Sequence, residues 1–236
     1  MTYHAEEATA ADTGNPGRRP AVTDIPVPSA ATRRFRYLPL TGLLFIVLVA
    51  IGGPVLEGST PGTSASGAAV ISFYTAHQAQ ERAGAVVLAL GFAVFLVFAG
   101  SLRAFWRQVA DLEVLSALML AGSSVVVAGQ TITAGLNYTL ASDGSRLAPS
   151  AAQLANVLDN DLVLTAPAGV LVFAFAAGTG ILRSKGHLPS WLGWLVYLGG
   201  IGVLIPGGDF VGFILIMIWC AIVSVLVFRK SAAAAS

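Results

Sequence analysis

Apolar stretches alternate with short polar segments along most of the chain. Six of them approach the roughly 17–25 residues that a helix needs to cross a bilayer, although the fifth is short. The pattern predicts an all-α fold, a polytopic transmembrane bundle of about six helices occupying residues 37–230. The predicted spans are Leu38–Leu56, Ala83–Leu102, Leu115–Leu136, Leu162–Leu182, Trp191–Ile205 and Phe210–Phe228.

The connections between the spans add two expectations. The link Pro206-Gly207-Gly208-Asp209 is too short for a domain, so spans five and six should form an antiparallel hairpin. Pro149-Ser150 suits a helix start, so one long helix is expected from Pro149 to Leu182.

Both ends of the chain are predicted to be tails. Residues 1–36 are rich in Ala, Thr, Pro and acids and lack an apolar period, which predicts a disordered cytoplasmic tail. Residues 231–236 form a short cytoplasmic tail. Arg33-Arg34 resembles a twin-arginine export signal, but Phe35-Arg36 places the aromatic wrongly for it. The basic cluster is better explained as an anchor on the cytoplasmic side.

A short helix is predicted between the first two spans. Gly58–Gly67 is a turn region, and from Ala68 onward the apolar residues fit one side of a helix. Val70, Ile71, Phe73, Tyr74 and His77 make up that side. We expect an interfacial helix that runs into the second span.

Composition places the chain in a bilayer. Of its residues 56% are hydrophobic and 11% are charged, and the mean hydropathy is +0.78, whereas soluble proteins are about 25% charged. The lipid bilayer is therefore the expected partner. The absence of a basic stripe argues against nucleic acid. Cys220, the single cysteine, excludes an internal disulfide and a zinc site made of cysteines.

The basic residues set the orientation. Of the 13 Lys and Arg residues, Arg82 and Arg146 alone fall in segments that lie outside when the amino terminus is inside. By the positive-inside rule, both termini are expected to be cytoplasmic. The acidic residues divide evenly between the two sides. Because nearly all basic residues lie inside, the outer face has a net negative charge. The outer acids are Glu57, Glu81, Asp143, Asp159, Asp161 and Asp209.

Two groups of outer polar residues invite a functional interpretation. His77 and Glu81 are four residues apart on a predicted helix, so they can pair or share a metal, or simply mark the bilayer boundary. Gln130, Thr133 and Asn137 form one stripe on span three, which must face other helices or water because lipid would leave the amides unpaired. Hydrogen bonding between neighbouring helices is the simpler explanation of that stripe.

The entry to span four is the most polar helical segment. Asn156, Asp159 and Asn160 cluster on one side, and Pro167 is expected to free the carbonyl of Val163 and kink the helix. Such a kinked helix can shape an outward vestibule or a cation site, or the acids can merely cap the span. Asp209 borders the same region.

The candidate ligand or cation residues, offered as a speculative set, are His77, Glu81, Asn137, Asn156, Asp159 and Asp209. No catalytic residue, metal site or cofactor is predicted: no span contains a histidine, and no phosphate-binding glycine loop or HExxH motif occurs. The absences favour a non-enzymatic protein, either a transporter-like module or a membrane partner subunit, with a membrane protein or a second copy as its partner. The alternative is a membrane-embedded enzyme or a cation-binding sensor that uses the acidic outer rim.

Three segments resemble a group of uncharacterised actinobacterial six-span membrane proteins, a domain of unknown function. They are Phe73-Tyr74-Thr75-Ala76-His77, the run from Gly84 to Phe98-Ala99-Gly100-Ser101-Leu102-Arg103, and Leu188-Pro189-Ser190-Trp191-Leu192-Gly193-Trp194. The resemblance covers roughly residues 38–228. It implies six helices in a bacterial plasma membrane and carries no substrate or catalytic residue with it.

Overall fold

A computed structural model describes residues 37–107, 109, 111–161, 165–184, 186–205 and 208–233. For Thr165, Ala166 and Asp209 it describes the backbone alone. The predicted disordered tail, residues 1–36, lies outside these ranges. The predicted tail 231–236 begins as helix, because the last helix continues to Ala233.

Most of the described residues are helical, and they contain no strand, so the all-α prediction is confirmed. A first helical segment joins a 3-10 turn (Leu38–Leu40), α1 (Thr41–Ala50) and a π-helical stretch (Ile51–Glu57). The other helices are α2 (Gly67–Ala76), α3 (Gln78–Trp106), α4 (Glu113–Asp143), α5 (Pro149–Asp161), α6 (Thr165–Arg183), α7 (Trp191–Gly202) and α8 (Asp209–Ala233), with a short 3-10 turn at Gly144–Arg146.

Six of these helices form a closed ring. Each packs on the next in the order α1, α3, α4, α6, α7 and α8, and α8 returns to pack on α1. The interior is apolar and strongly aromatic. Its aromatic contributors are Phe45, Phe92, Phe95, Phe98, Trp106, Phe173 and Trp219. Contacts between aromatic side chains fill the centre of the helix ring; examples are Phe45–Phe95 (4.8 Å between centroids) and Phe173–Trp219 (5.5 Å).

Four helical segments are long and apolar enough to cross a membrane: Leu38–Glu57, Gln78–Trp106, Glu113–Arg146 and Phe210–Ala233. The other two predicted spans correspond to shorter apolar helices, Pro167–Arg183 and Trp191–Gly202. α7 has 12 residues, a length of about 18 Å at 1.5 Å per residue, whereas the hydrocarbon layer is about 30 Å thick.

Glycines let the ring helices approach closely. A Cβ at Gly122 in α4 would lie 2.5 Å from the backbone nitrogen of Phe173 in α6, and one at Gly169 would lie 2.8 Å from the carbonyl oxygen of Gly122. The predicted hairpin of spans five and six contains a similar close glycine contact, since a Cβ at Gly202 would lie 2.9 Å from the Cα of Gly212. The backbones of neighbouring helices therefore touch where these glycines meet.

A small outer cap lies on one end of the ring. The cap consists of the loop 58–66, α2 and α5; its core contains Val70, Tyr74 and Ala152 and rests on Leu140 of α4. We call this end of the bundle the outer end, after its predicted orientation. The expected interfacial helix is therefore present as α2, but it packs on α5.

The helix expected from Pro149 to Leu182 is described in two parts, and its continuity stays a prediction because residues 162–164 lie outside the described ranges. Its described residues form two helices, α5 and α6, on either side of residues 162–164. Val163, whose carbonyl Pro167 was expected to free, lies outside the described ranges.

The glycine contact between α4 and α6 is testable with a matched pair of substitutions. Gly122→Ala should destabilise the protein by about 1–3 kcal/mol, because its methyl group collides with backbone that cannot give way. Gly135→Ala is the control, since a Cβ at Gly135 on the same helix meets nothing within 4 Å. Chemical unfolding in detergent measures both variants. Equal stability of the two would contradict the close packing.

Candidate functional site: a carboxyl cluster at the outer end

Three acidic side chains from separate parts of the chain converge beneath the outer cap. Glu57 ends the first helical segment, Glu81 lies in the first turn of α3, and Asp159 lies near the end of α5. Glu57 interacts electrostatically with both Glu81 and Asp159, and Glu81 with Asp159. We call these three residues the carboxyl cluster.

The backbone around Glu57 explains its position. Pro54 has no amide hydrogen to donate, and the surrounding residues adopt a π-helix that closes with Gly58 N–H donating to the Gly53 carbonyl at 3.0 Å. Gly58 then reverses the chain with φ +62°. Across the gap, a Cβ at Gly84 of α3 would lie 2.5 Å from Cγ of Glu57. The bare surface at Gly84 thus makes room for the glutamate.

Tyr74 and Asn137 hold the cluster together through hydrogen bonds. The Tyr74 hydroxyl donates to Oδ1 of Asn137 over 2.7 Å, and both residues are buried. The Asn137 side chain also hydrogen-bonds the carboxyl group of Glu57. Burial, together with the charges of Asp159, Glu81 and Glu57, raises the pKa of Tyr74, so the phenol stays a donor. Asn137 therefore links the cap to the first helical segment.

Burial leaves several oxygens of this region without a donor. Glu81 is 1% exposed and Asp159 6% exposed. Within the described part of the chain, Glu57 Oε1, Glu81 Oε2, Asp159 Oδ1 and Asn156 Oδ1 have no hydrogen-bond partner. An ionised carboxylate placed in this way is unstable by several kcal/mol unless something neutralises it.

The basic residues nearby do not neutralise the cluster. Arg82 is turned toward α4, where its Nε donates to Oγ of Ser142 at 2.8 Å and its guanidinium lies 5.9 Å from the ring centre of Tyr138. The ion pair found among the described residues, Arg146 with Asp143, is at the surface. Burial consequently raises the pKa of Asp159 to about 6.

Asparagines of α5 fasten the loop of the cap. Asn156 Nδ2 donates to the Gly62 carbonyl at 3.1 Å, and Asn160 Nδ2 donates to the Pro61 carbonyl at 3.3 Å. Gly67 at the start of α2 lies against the backbone of Pro149, where no side chain would fit. The loop and both cap helices thus form one unit above the cluster.

The structure separates His77 from Glu81. His77 interrupts the helix between α2 and α3, is exposed, and its Nδ1 lies 2.9 Å from the Phe73 carbonyl oxygen. Glu81 is buried, so the two do not share one environment, although the imidazole still interacts electrostatically with Glu81. Over the described ranges, no group of three potential metal-binding side chains is placed to hold an ion.

The remaining predicted residues have different outcomes. Asn137, Asn156 and Asp159 lie at or beside the cluster and are buried. Asp209 begins α8, but its side chain lies outside the described part of the structure. Of the predicted stripe, Gln130 and Thr133 are partly buried, and Thr133 Oγ1 has no partner among the described residues.

Sequence reasoning missed Glu57 and Tyr74 as site residues. Glu57 follows an apolar run and therefore has the pattern of a boundary residue, and Tyr74 belongs to the apolar side of α2. A proline near the end of a span, three residues before an acid that a glycine follows, is the local signal that marks Glu57.

Comparison with known proteins adds no assignment: no family model, no characterised protein and no solved structure matches the chain.

The raised pKa of Asp159 predicts how stability depends on pH. Its folded-state pKa of about 6 lies above the ordinary value of 3.8, so the folded protein binds more protons and loses stability as pH rises from about 4 through 6. The loss attributable to this one group is at most about 3 kcal/mol. Unfolding in detergent across this range should show it.

The Asp159→Asn variant should lose much of that pH dependence and be the more stable protein above pH 6, because the neutral amide needs no neutralising partner. Asp161→Asn is the control, since Asp161 is exposed on the same helix. An unaltered pH dependence in Asp159→Asn would refute the assignment.

Proposed function

We propose that the chain is a six-span integral membrane protein of a bacterial plasma membrane, with both termini in the cytoplasm, whose outer end binds a cation at the carboxyl cluster. In this proposal the protein is not an enzyme. It is a sensing module, and its membrane domain serves chiefly to hold the site.

Six crossings are supported by the closed ring. α6 and α7 take the same kind of place in it as the four long helices, each packed between two neighbours. Their apolar sequence also extends beyond the described helices, through Leu162–Leu182 and Trp191–Ile205. An even number of crossings keeps the basic residues on one side.

The cation site rests on a single observation: three acids that interact electrostatically, Glu57, Glu81 and Asp159, each have one buried carboxyl oxygen without a hydrogen-bond partner among the described residues. Ionisable groups inside a membrane protein are costly and usually functional. A positively charged ligand would remove that cost.

A sensing role is favoured over transport by the packing below the cluster. The interior of the ring is occupied by buried aromatic and aliphatic side chains. The described residues therefore offer the cation a polar site at one end of the bundle and an apolar core beyond it. The resemblance to actinobacterial membrane proteins supports the bacterial plasma membrane and is neutral about the ligand.

The topology predicts opposite accessibility for two conservative cysteine substitutions. Ser64→Cys, in the outer cap, should react with a membrane-impermeant thiol reagent in intact cells. Ser190→Cys, between α6 and α7, should react only after the cells are opened. Both serines are exposed, and the native Cys220 is buried and should stay silent. Labelling of both positions in intact cells would refute the six-span topology.

Cation binding predicts stabilisation that depends on the cluster. In detergent, at least one cation among H⁺, Na⁺, K⁺, Mg²⁺ and Ca²⁺ should raise the unfolding temperature of the wild type, because it binds the folded state preferentially. The increase should shrink by at least half in Glu81→Gln. Glu113→Gln is the control, since Glu113 is an exposed acid at the opposite end of the bundle. Failure of all five cations would refute the proposed function.

A further inference from the structure

We propose that the cation bound by the carboxyl cluster is the proton, and that loss of protons from Glu57, Glu81 and Asp159 loosens the outer cap. This inference rests on the proposed function and names its ligand.

The hydrogen bonding favours protons over metal ions. A metal ion needs several oxygens directed at one point, whereas the described side chains form no such group. A proton needs one oxygen at a time, and the acceptors without donors are Glu81 Oε2, Asp159 Oδ1, Glu57 Oε1 and Asn156 Oδ1. A protonated carboxyl group becomes a donor to a neighbouring acceptor, so each proton taken from water supplies an O–H where the structure lacks one.

The groups that face the cluster are mostly acidic or uncharged, and His77 is the basic group that interacts electrostatically with Glu81. The first helical segment contributes Glu57, α3 contributes Glu81, and α5 contributes Asp159, with Asp161 exposed at its end. α2 contributes the uncharged Tyr74, and α4 the uncharged Asn137. The basic groups described in this region are His77, which is exposed, and Arg82, which is partly buried and hydrogen-bonded to Ser142.

The position of Asp159 connects protonation with the cap. Asp159 belongs to the cap through α5. Glu57 and Glu81 belong to the helix ring, through the first helical segment and α3. When all three are ionised, like charges repel across the boundary between cap and ring in a medium of low dielectric constant. Among the described residues, the attachments that oppose this repulsion include the Tyr74–Asn137 hydrogen bond, a small apolar core around Val70 and Ala152, and the packing of α5 on α4.

A buried cysteine in the cap reports its opening. Ala152 is fully buried in the cap core, so Ala152→Cys should be protected from a polar thiol reagent while the cap is seated. The rate at which the reagent labels Ala152→Cys is divided by the rate at which it labels Ser64→Cys at the same pH. This division removes the effect of thiol ionisation. Ala141→Cys, buried in the same core, replaces Ala152→Cys if that variant does not fold.

The expected result is a normalised rate that rises at least about fivefold from pH 5 to pH 8. Adding Glu81→Gln and Asp159→Asn should abolish most of the rise, because these amides stay neutral. Mg²⁺ or Ca²⁺ at pH 8 should leave the rate high.

Two other results overturn the inference. If Mg²⁺ or Ca²⁺ restores protection at pH 8, the cluster binds a metal cation, so the proton is the wrong ligand while the proposed function stands. If the normalised rate is the same at both pH values, the cap does not respond to protons. Cation-dependent stability of the wild type and Glu81→Gln then decides the proposed function separately.

Discussion

The cost of leaving a polar group unpaired in a medium of low dielectric constant governs this structure. Within hydrocarbon each backbone amide and carbonyl must find a partner in its own segment, which restricts the apolar stretches to helices. The same cost keeps polar side chains out of the ring interior. Serines that are buried there, such as Ser123 and Ser224, donate to carbonyls of their own helices. Close glycine contacts then bring helices such as α4 and α6 together through their backbones.

Some buried donors of the ring core, such as Trp106 Nε1 and Trp219 Nε1, also lack a partner, but at the outer end the unpaired atoms belong to carboxyl groups, so we look for function there. Glu57, Glu81 and Asp159 are brought from distant parts of the chain into one buried region, and the available donors, Tyr74 and Asn137, satisfy one another and Glu57. The cap above them would be unnecessary for a bundle that only had to be stable in lipid. The cap is held together by hydrogen bonds from asparagines to loop carbonyls and by its own small core, which indicates that it serves to cover the acids.

Much of the fold was predictable because lipid imposes a length and a hydrophobicity on each span. The predicted span boundaries lie within the observed helices at α3 and α4, which run longer at both ends. The polar stripe on α4 correctly indicated that Asn137 faces protein. Asn156, Asp159 and Glu81 were selected as outer polar residues near helix ends, and the structure buries all three.

What local patterns could not predict depends on contacts between distant segments. Glu57 occupies its place because Gly84 of another helix leaves room for it. His77 and Glu81 were expected on one helix face. A turn at His77 instead separates α2 from α3, and the imidazole is exposed while the acid is buried. The short helix expected between the first two spans is present as α2, but its packing against α5, which depends on the close contact of Gly67 with Pro149, was not predicted.

The central claim is that the buried carboxyl groups are held neutral by protons. Infrared spectroscopy of the purified protein at mildly acidic pH, where exposed carboxyl groups are ionised, tests it most directly. We predict a carbonyl stretching band of neutral carboxylic acids that disappears as the sample is made alkaline and is absent from a Glu57→Gln, Glu81→Gln, Asp159→Asn triple variant. A spectrum without that band, or a band that persists in the triple variant, would contradict the account.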